Sequence, residues 1–169
     1  MKHSSIFRRT RHSAHRRAGA AMIEFALVFP VFMTMMFGLF EFGRAYMVIQ
    51  LINTSIRFSA RQGVTDGATT AMLKASILDT LAAGGVDESD VTIYVIDGQV
   101  FDDNPNDPPS VSSLLENYDE GEDEFELNDA KPRQLALIRC EIPYQKVALF
   151  SPIWLQGVTL RGQLVVRHE

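Results

Sequence analysis

A glycine and a glutamate five residues apart mark the part of the sequence whose residue types could do chemistry. Gly19 ends a basic stretch, and Glu24 stands inside the apolar run that follows it. A charged side chain at the centre of a membrane span raises the free energy of insertion by roughly 2.5–3.5 kcal/mol, so such a residue suggests a function. Cleavage between Gly19 and Ala20 would create a positive α-amine one helical turn from Glu24. In an assembly, that carboxylate could face the amine of a neighbouring subunit, because a paired charge is tolerable at low dielectric and a lone one is not.

Charge is divided unevenly along the chain. Residues 1–19 carry six Lys or Arg and no acid, which leaves ten basic residues against all 21 acidic ones in residues 20–169. The body therefore has a net charge of −11 and lacks the basic surface that neutralises phosphates. We expect no binding to nucleic acid.

Cysteine and histidine are scarce. Cys140 is the one cysteine, which excludes an intrachain disulfide, and His168 is the one histidine outside the first 19 residues. The body can hardly build a His/Cys metal cluster or a Ser-His-Asp triad from these residues. The sequence also lacks a Gly-rich phosphate loop and a nucleophile elbow. We expect neither enzyme activity nor a cofactor.

A charge-free run of sixteen residues, 25–40, predicts a membrane helix. Extended back to Ala18, the run is interrupted only by Glu24 and is long enough to cross a hydrocarbon core of about 30 Å. The basic leader outweighs the three arginines that follow the run, Arg44, Arg57 and Arg61. The positive-inside rule then places the N-terminus in the cytoplasm and residues beyond about 43 outside.

Other interpretations of this run are an export signal or an uncleaved anchor. A cleavable secretory signal has a shorter apolar core and a small-residue cleavage site after it, and neither feature is present. Arginine pairs at 8–9 and 16–17 are typical of twin-arginine signals, although the pairs alone are weak evidence. An uncleaved signal anchor stays open as an alternative, with Glu24 incidental.

The leader, the glycine, the glutamate and the apolar helix together resemble the type IV prepilin pattern. Within that group the segment is similar to the TadE-type pseudopilins of tight-adherence (Flp pilus) systems. The residues that carry the resemblance are Gly19, Glu24-Phe25-Ala26-Leu27, Pro30 and Glu41-Phe42-Gly43-Arg44, with SARQG at 59–63 similar to the family's Ala-Arg-rich helix end. General-secretion and type IVa pseudopilins tend to place Phe after the glycine. Ala20 departs from that pattern, which favours the tight-adherence branch and leaves N-methylation open.

The resemblance implies a minor pilin or pseudopilin that a prepilin peptidase cleaves between Gly19 and Ala20 and that contributes to Flp pilus assembly in adhesion, biofilm formation or secretion. It implies a single-pass protein of the bacterial inner membrane, with its C-terminal domain in the periplasm or incorporated into the pilus. The implied partners are the prepilin peptidase, other minor pilins, the Flp-type major pilin, the inner-membrane assembly platform and membrane lipid. The residues implied in assembly are Glu24, Phe25, Pro30, Glu41, Gly43 and Arg44. The alternative function is that of an uncleaved, single-span periplasmic accessory or binding protein.

The body after the span predicts an α+β fold with a pilin-like layout. The first helix should run from about 22 to 62, and a second from about 68 to 83, each followed by glycines that end it. The apolar residues that define their faces are Tyr46, Ile49, Ile52 and Ile56 in the first helix and Leu73, Ile77, Leu78 and Leu81 in the second. Three alternating segments, VTIYVIDG, LALIRCEI and VTLRGQLVVRH, predict a three-stranded antiparallel sheet packed on the helices, with Cys140 on its apolar face. The predicted organisation is a leader (1–19), a transmembrane helix (20–43) and an extracytoplasmic domain (44–169).

An acidic stretch separates the first two predicted strands. Its YDEGEDEFELND motif holds seven acids in twelve residues, which is typical of a solvated loop, here predicted over 99–133. Carboxylates around Gly121 could bind calcium, but their spacing does not match an EF-hand loop. We therefore predict no metal site.

An apolar segment, VALFSPIWLQG, joins the last two predicted strands and contains Phe150, Ile153, Trp154 and Leu155. In one hypothesis these side chains cover the sheet or a helix face. In the other they form an exposed patch that docks a partner subunit or touches the membrane. The sequence leaves both hypotheses open.

Overall fold

The computed structural model describes residues 11–63, 69–103, 106–116, 118–119 and 123–168. Several predicted features lie outside the described residues: positions 1–10 of the leader, residues 64–68 just after the first predicted helix, and Gly121 of the calcium hypothesis. The chain divides into two compact units, Met1–Phe40 and Glu41–Glu169.

Helix α1 runs over Arg11–Gly63 and contains one proline, Pro30. Proline has no N–H, so one carbonyl in the preceding turn loses its helical donor, which membrane helices tolerate. The hydroxyl of Thr34 donates to the Pro30 carbonyl oxygen at 2.8 Å.

Large apolar side chains of α1 between positions 22 and 40 are exposed, including those of Met22, Ile23, Phe25, Leu27, Val28, Val31, Phe32, Leu39 and Phe40. A helix in the core of a soluble protein would bury such residues. In the described part of the chain, one helix is long and apolar enough to cross a membrane, and it is the one that includes this stretch. The structure is thus consistent with a single-pass membrane anchor.

The part of α1 after Glu41 buries a regular stripe formed by Ala45, Val48, Ile52, Ile56 and Ala60. Tyr46 does not belong to it, because its side chain is 64% exposed, so the predicted face was wrong at that position. The correct stripe begins one residue earlier, which turns the helix face by about 100° at the first contact.

Helix α2, Thr70–Ala83, buries Leu73, Ile77 and Leu81, as the periodicity predicts. Its N-cap is Thr69, whose hydroxyl accepts from the Met72 N–H at 3.2 Å. The helix ends at Ala83 with Gly84 as its C-cap, and Gly85 adopts a left-handed φ of 79° that suits glycine.

Three strands form the predicted antiparallel sheet: β1 (Thr92–Asp97), β2 (Leu135–Pro143) and β3 (Thr159–Arg167). Strand β2 is central, and Cys140 pairs with Ile93 on one side and with Gly162 on the other. The apolar sides of the strands pack with α1 and α2 in one core. The α+β fold expected from the sequence is confirmed.

The second face of the sheet is partly covered as well. Leu137 and Arg139 are buried, although the alternating pattern of β2 predicts them on the outer face. Arg139 is ion-paired at 2.6 Å with Glu141 of the same strand, and the Tyr94 and Tyr118 rings meet edge to face with 5.2 Å between centroids. The covering segment contains two short helices, α3 (Gln99–Asp103) and α4 (Val111–Leu115), where the sequence pattern predicts only an irregular loop.

The end of the acidic stretch is fixed to the start of α2. The Thr70 hydroxyl donates to the Phe125 carbonyl at 2.8 Å and accepts from the Leu127 N–H at 3.0 Å, and the Thr70 N–H donates to the Glu126 carboxylate at 2.9 Å. An anionic side chain is favourable at a helix N-terminus, where unpaired N–H groups concentrate. Leu127 is 2% exposed, so this part of the predicted solvated loop belongs to the core.

Candidate functional site

The predicted cleavage position lies on an exposed stretch of α1. Gly19 and Ala20 are both exposed, and Glu24 is exposed one helical turn further along the chain. No described residue forms a hydrogen bond or an ion pair with the Glu24 carboxylate. Phe25 is exposed, and its ring centroid lies 5.2 Å from that of Phe29 on the same helix.

A second candidate site is built around Glu41, also on α1. Its carboxylate accepts three consecutive backbone N–H groups: Leu155 at 2.7 Å, Trp154 at 3.1 Å and Ile153 at 3.2 Å. An ionised carboxylate only accepts hydrogen bonds, and converging backbone N–H groups form a favourable site for an anion. We call this arrangement the Glu41 clamp.

The residues just after β2 bind the same turn of α1. Helix α5, Tyr144–Val147, begins where β2 ends, and the Tyr144 hydroxyl donates to the Glu41 carbonyl oxygen at 2.9 Å. The Arg44 Nε donates to the Val147 carbonyl oxygen at 3.0 Å. Because Tyr144 is 1% exposed, its hydroxyl needs such a partner.

The surroundings of Tyr144 also affect its ionisation. Burial raises the pKa of the phenol, and the negative charge of Glu41 raises it further, while the positive charge of Arg44 opposes the change. The phenol thus keeps its proton, and with it the donor for the Glu41 carbonyl, across the neutral range.

The Glu-x-Gly-Arg motif thereby binds one segment at two places. We call residues 148–158, between α5 and β3, the apolar loop. Arg44 binds the residue that precedes this loop, and Glu41 binds three N–H groups in its second half. Gly43 is exposed, and a Cβ added to it would meet nothing within 4 Å. Space inside the domain therefore does not require glycine at this position.

The structure separates the residues predicted for the apolar patch. Leu155 is partly buried and packs against the core, as the covering hypothesis predicts. Phe150 and Ile153 are each 64% exposed and Trp154 is 42% exposed, as the exposed-patch hypothesis predicts. Leu149, which the sequence analysis does not single out, is 66% exposed and extends the patch.

Two groups of predicted residues result. Gly19, Ala20, Glu24, Phe25 and Pro30 belong to the unit that ends at Phe40, whereas the clamp, Gly43, Arg44 and the patch belong to the unit that begins at Glu41. The link between Glu41 and the apolar loop spans more than one hundred residues of sequence. No local pattern indicates such a contact, nor the role of Tyr144 in it.

Metal binding was the remaining hypothesis for the acidic side chains. Within the ranges that the structure describes, no group of three or more His, Cys, Asp or Glu side chains is placed to hold a metal ion. The acidic residues at 120 and 122 lie outside those ranges.

Comparison with known proteins gives a family match for the N-terminal part of the chain. Residues 19–71 match the family model described as TadE-like protein. The match confirms the resemblance over a segment that starts at Gly19 and includes Glu24, Pro30 and the clamp residues Glu41 and Arg44. No curated protein and no solved structure is significantly similar to the chain.

Proposed function

We propose that this TadE-like protein is a minor pilin or pseudopilin of a tight-adherence (Flp) pilus system, processed by a prepilin peptidase between Gly19 and Ala20. The observation that carries the proposal is the family match, which begins at Gly19 itself. The role is structural: the chain is a substrate of the peptidase and a subunit in assembly, without catalytic activity of its own.

Orientation follows from charge and from the exposed apolar helix. The basic leader stays in the cytoplasm, the transmembrane helix predicted over 20–43 crosses the inner membrane, and the α+β domain lies in the periplasm. The clamp supports this arrangement, because its carboxylate directly follows the charge-free run and is already satisfied by three N–H groups. A charged side chain at a membrane boundary is stabilised by such partners.

Glu24 is the residue that sets the position of the subunit among its partners. It is exposed on α1, and removal of the leader creates an amine at Ala20 within one turn of it. In lipid, the carboxylate gains most from pairing with a positive amine of the same or a neighbouring mature subunit. The partners are other minor pilins, the Flp-type major pilin and the assembly platform.

The proposal is tested by separating charge from shape at position 24 in the native host. Glu24→Gln keeps the size of the side chain and removes its charge, Glu24→Leu removes both polarity and charge, and Glu24→Asp keeps the charge as a matched control. We expect leader removal, measured by mass, to persist in all three variants. Piliation should fall in the Glu24→Gln and Glu24→Leu variants and be retained at least in part in Glu24→Asp. Normal piliation in Glu24→Leu would contradict the assembly role.

A further inference from the structure

The apolar loop carries no charge and is exposed. No charged residue occurs between Lys146 and Arg161, a stretch that contains the whole loop. Four of its large side chains stand out to solvent in the structure: Leu149, Phe150, Ile153 and Trp154. Contiguous exposed apolar side chains of this kind mark a contact with another apolar phase or protein.

The clamp holds this loop close to the residue at which the charge-free run ends. Glu41 immediately follows Phe40, the last residue of the charge-free run. Its carboxylate holds the N–H groups of residues 153–155 at 2.7–3.2 Å. Where the transmembrane helix that contains this run spans the bilayer, the loop is consequently held near the end of the span, at the membrane–water boundary, the level at which tryptophan is enriched.

Several backbone polar groups of the loop have hydrogen-bond partners within the protein and do not need water. Besides the three N–H groups bound by Glu41, the Val158 N–H donates to the Leu155 carbonyl at 3.2 Å, and the Val158 carbonyl accepts from the Tyr144 N–H at 2.9 Å. Near the hydrocarbon, an N–H without a protein partner is costly, so irregular backbone is tolerated there only when its polar groups are satisfied internally. In the second half of the loop, the N–H groups of Ile153, Trp154, Leu155 and Val158 meet that condition.

We propose that the apolar loop is a second membrane contact, in which Leu149, Phe150, Ile153 and Trp154 enter the interfacial layer of the bilayer that the transmembrane helix crosses. The occupant of the patch is lipid, because the loop is held at the end of the span and offers apolar surface without a charge that would select a protein partner. The contact limits the tilt and rotation of the periplasmic domain before assembly. It requires the span but not the processing of the leader.

Trp154 reports on this contact directly, because it is the only tryptophan in the chain. The full chain is placed in nanodiscs of phosphatidylcholine and phosphatidylglycerol, and its fluorescence is quenched either by lipids brominated near the headgroup or by iodide in the water. The control is the double variant Trp154→Phe, Phe58→Trp. Phe58 is 55% exposed on α1 and lies about 25 Å beyond Glu41 along the helix axis.

We expect brominated lipid to quench Trp154 and to leave the tryptophan at position 58 unaffected. Iodide should quench Trp154 at least about threefold less efficiently than it quenches the tryptophan of the control variant. In Glu41→Gln, quenching by brominated lipid should fall, because the loop is no longer fixed at this depth.

Two results would overturn the membrane contact, and a third would overturn the role of the clamp in it. Equal access of iodide to both tryptophans, without lipid quenching, would place the loop in water. Protection from iodide without lipid quenching would show that protein, such as a second copy of the chain, covers the patch. Unchanged lipid quenching in Glu41→Gln would remove the clamp's part in setting depth. The unprocessed chain serves for every arm, so these results are independent of whether a peptidase acts at Gly19.

Discussion

Replacing Glu41 with glutamine tests the clamp most directly. The substitution preserves size and one carbonyl oxygen but removes the charge and replaces the second acceptor with an NH₂ group, which cannot accept from a backbone N–H. At least one of the three N–H groups of residues 153–155 must then lose its partner. The loop should open more often while the rest of the domain stays folded.

The magnitude follows from the environment of each bond. Hydrogen bonds to a charged group contribute about 1.5–3 kcal/mol, and exposed ones contribute less because water competes. The bond to Leu155 is the shortest and is partly buried, whereas those to Ile153 and Trp154 are exposed. We therefore expect local opening of the loop to become easier by about 1–2 kcal/mol, a factor of roughly 5–30 in its equilibrium constant.

Hydrogen exchange of the amides at 153–155 is the suitable assay, because it measures local opening rather than global unfolding. Exchange should accelerate roughly 5–30-fold in Glu41→Gln, while amides of β2 change little. Glu88→Gln is a matched control, since Glu88 is exposed and no described residue donates a hydrogen bond to its carboxylate. Unchanged exchange at 153–155 in Glu41→Gln, or equal acceleration in the control, would refute the reasoning.

Three further predictions concern the core. Gly162→Ala should lower the free energy of unfolding by about 1–3 kcal/mol in denaturant titrations, because its Cβ would lie 2.5 Å from the Ile52 Cγ2. Thr70→Val should lower the free energy of unfolding by about 2–3 kcal/mol in the same assay, because it removes a buried hydroxyl that binds the backbone of residues 125 and 127. Cys140 should resist alkylation at pH 8, since burial, and then the charge of Glu141, raises its pKa from 9.0 to about 12. The native state keeps a thiol proton that the unfolded chain loses, so the contribution of Cys140 to stability should be complete below pH 9.0 and decline from there towards about pH 12.

Each of these predictions has its own control. Gly43→Ala should leave the free energy of unfolding unchanged or raise it slightly, because a Cβ there meets nothing within 4 Å and alanine favours helix. Thr54→Val removes an exposed hydroxyl that bonds only within α1, so a loss as large as that of Thr70→Val would contradict the argument. Urea-unfolded protein should be alkylated rapidly at Cys140, and the decline of stability above pH 9.0 should be weaker in Cys140→Ala. Rapid alkylation of the folded protein would contradict the buried position of the thiol.

The parts of the fold with local periodicity were predictable from sequence. Alternation of apolar residues locates all three strands, and the α2 stripe of Leu73, Ile77 and Leu81 follows from helical spacing. The prediction of the buried face of α1 after the span was wrong at Tyr46, because an aromatic side chain fits a helical pattern equally well on a solvent-exposed surface. Short helices α3 and α4 have five residues each, too few to show a period.

The candidate sites were predictable to different degrees. Motif resemblance locates Gly19, Glu24, Glu41 and Arg44, but not what the last two residues bind. The clamp joins a helix to a loop more than one hundred residues later, and backbone N–H groups exist at almost every position, so side-chain identity gives no signal for it. The burial of Leu155 beside the exposed Ile153 likewise depends on the path of the loop and not on hydrophobicity.

Intact-mass and N-terminal analysis of the protein from native membranes, with and without the prepilin peptidase, shows whether the leader is removed after Gly19. We expect a chain that begins at Ala20 when the peptidase is present and a chain that keeps the basic leader when it is absent. A chain that keeps the leader in both strains would contradict the pseudopilin function and favour an uncleaved, membrane-anchored periplasmic protein.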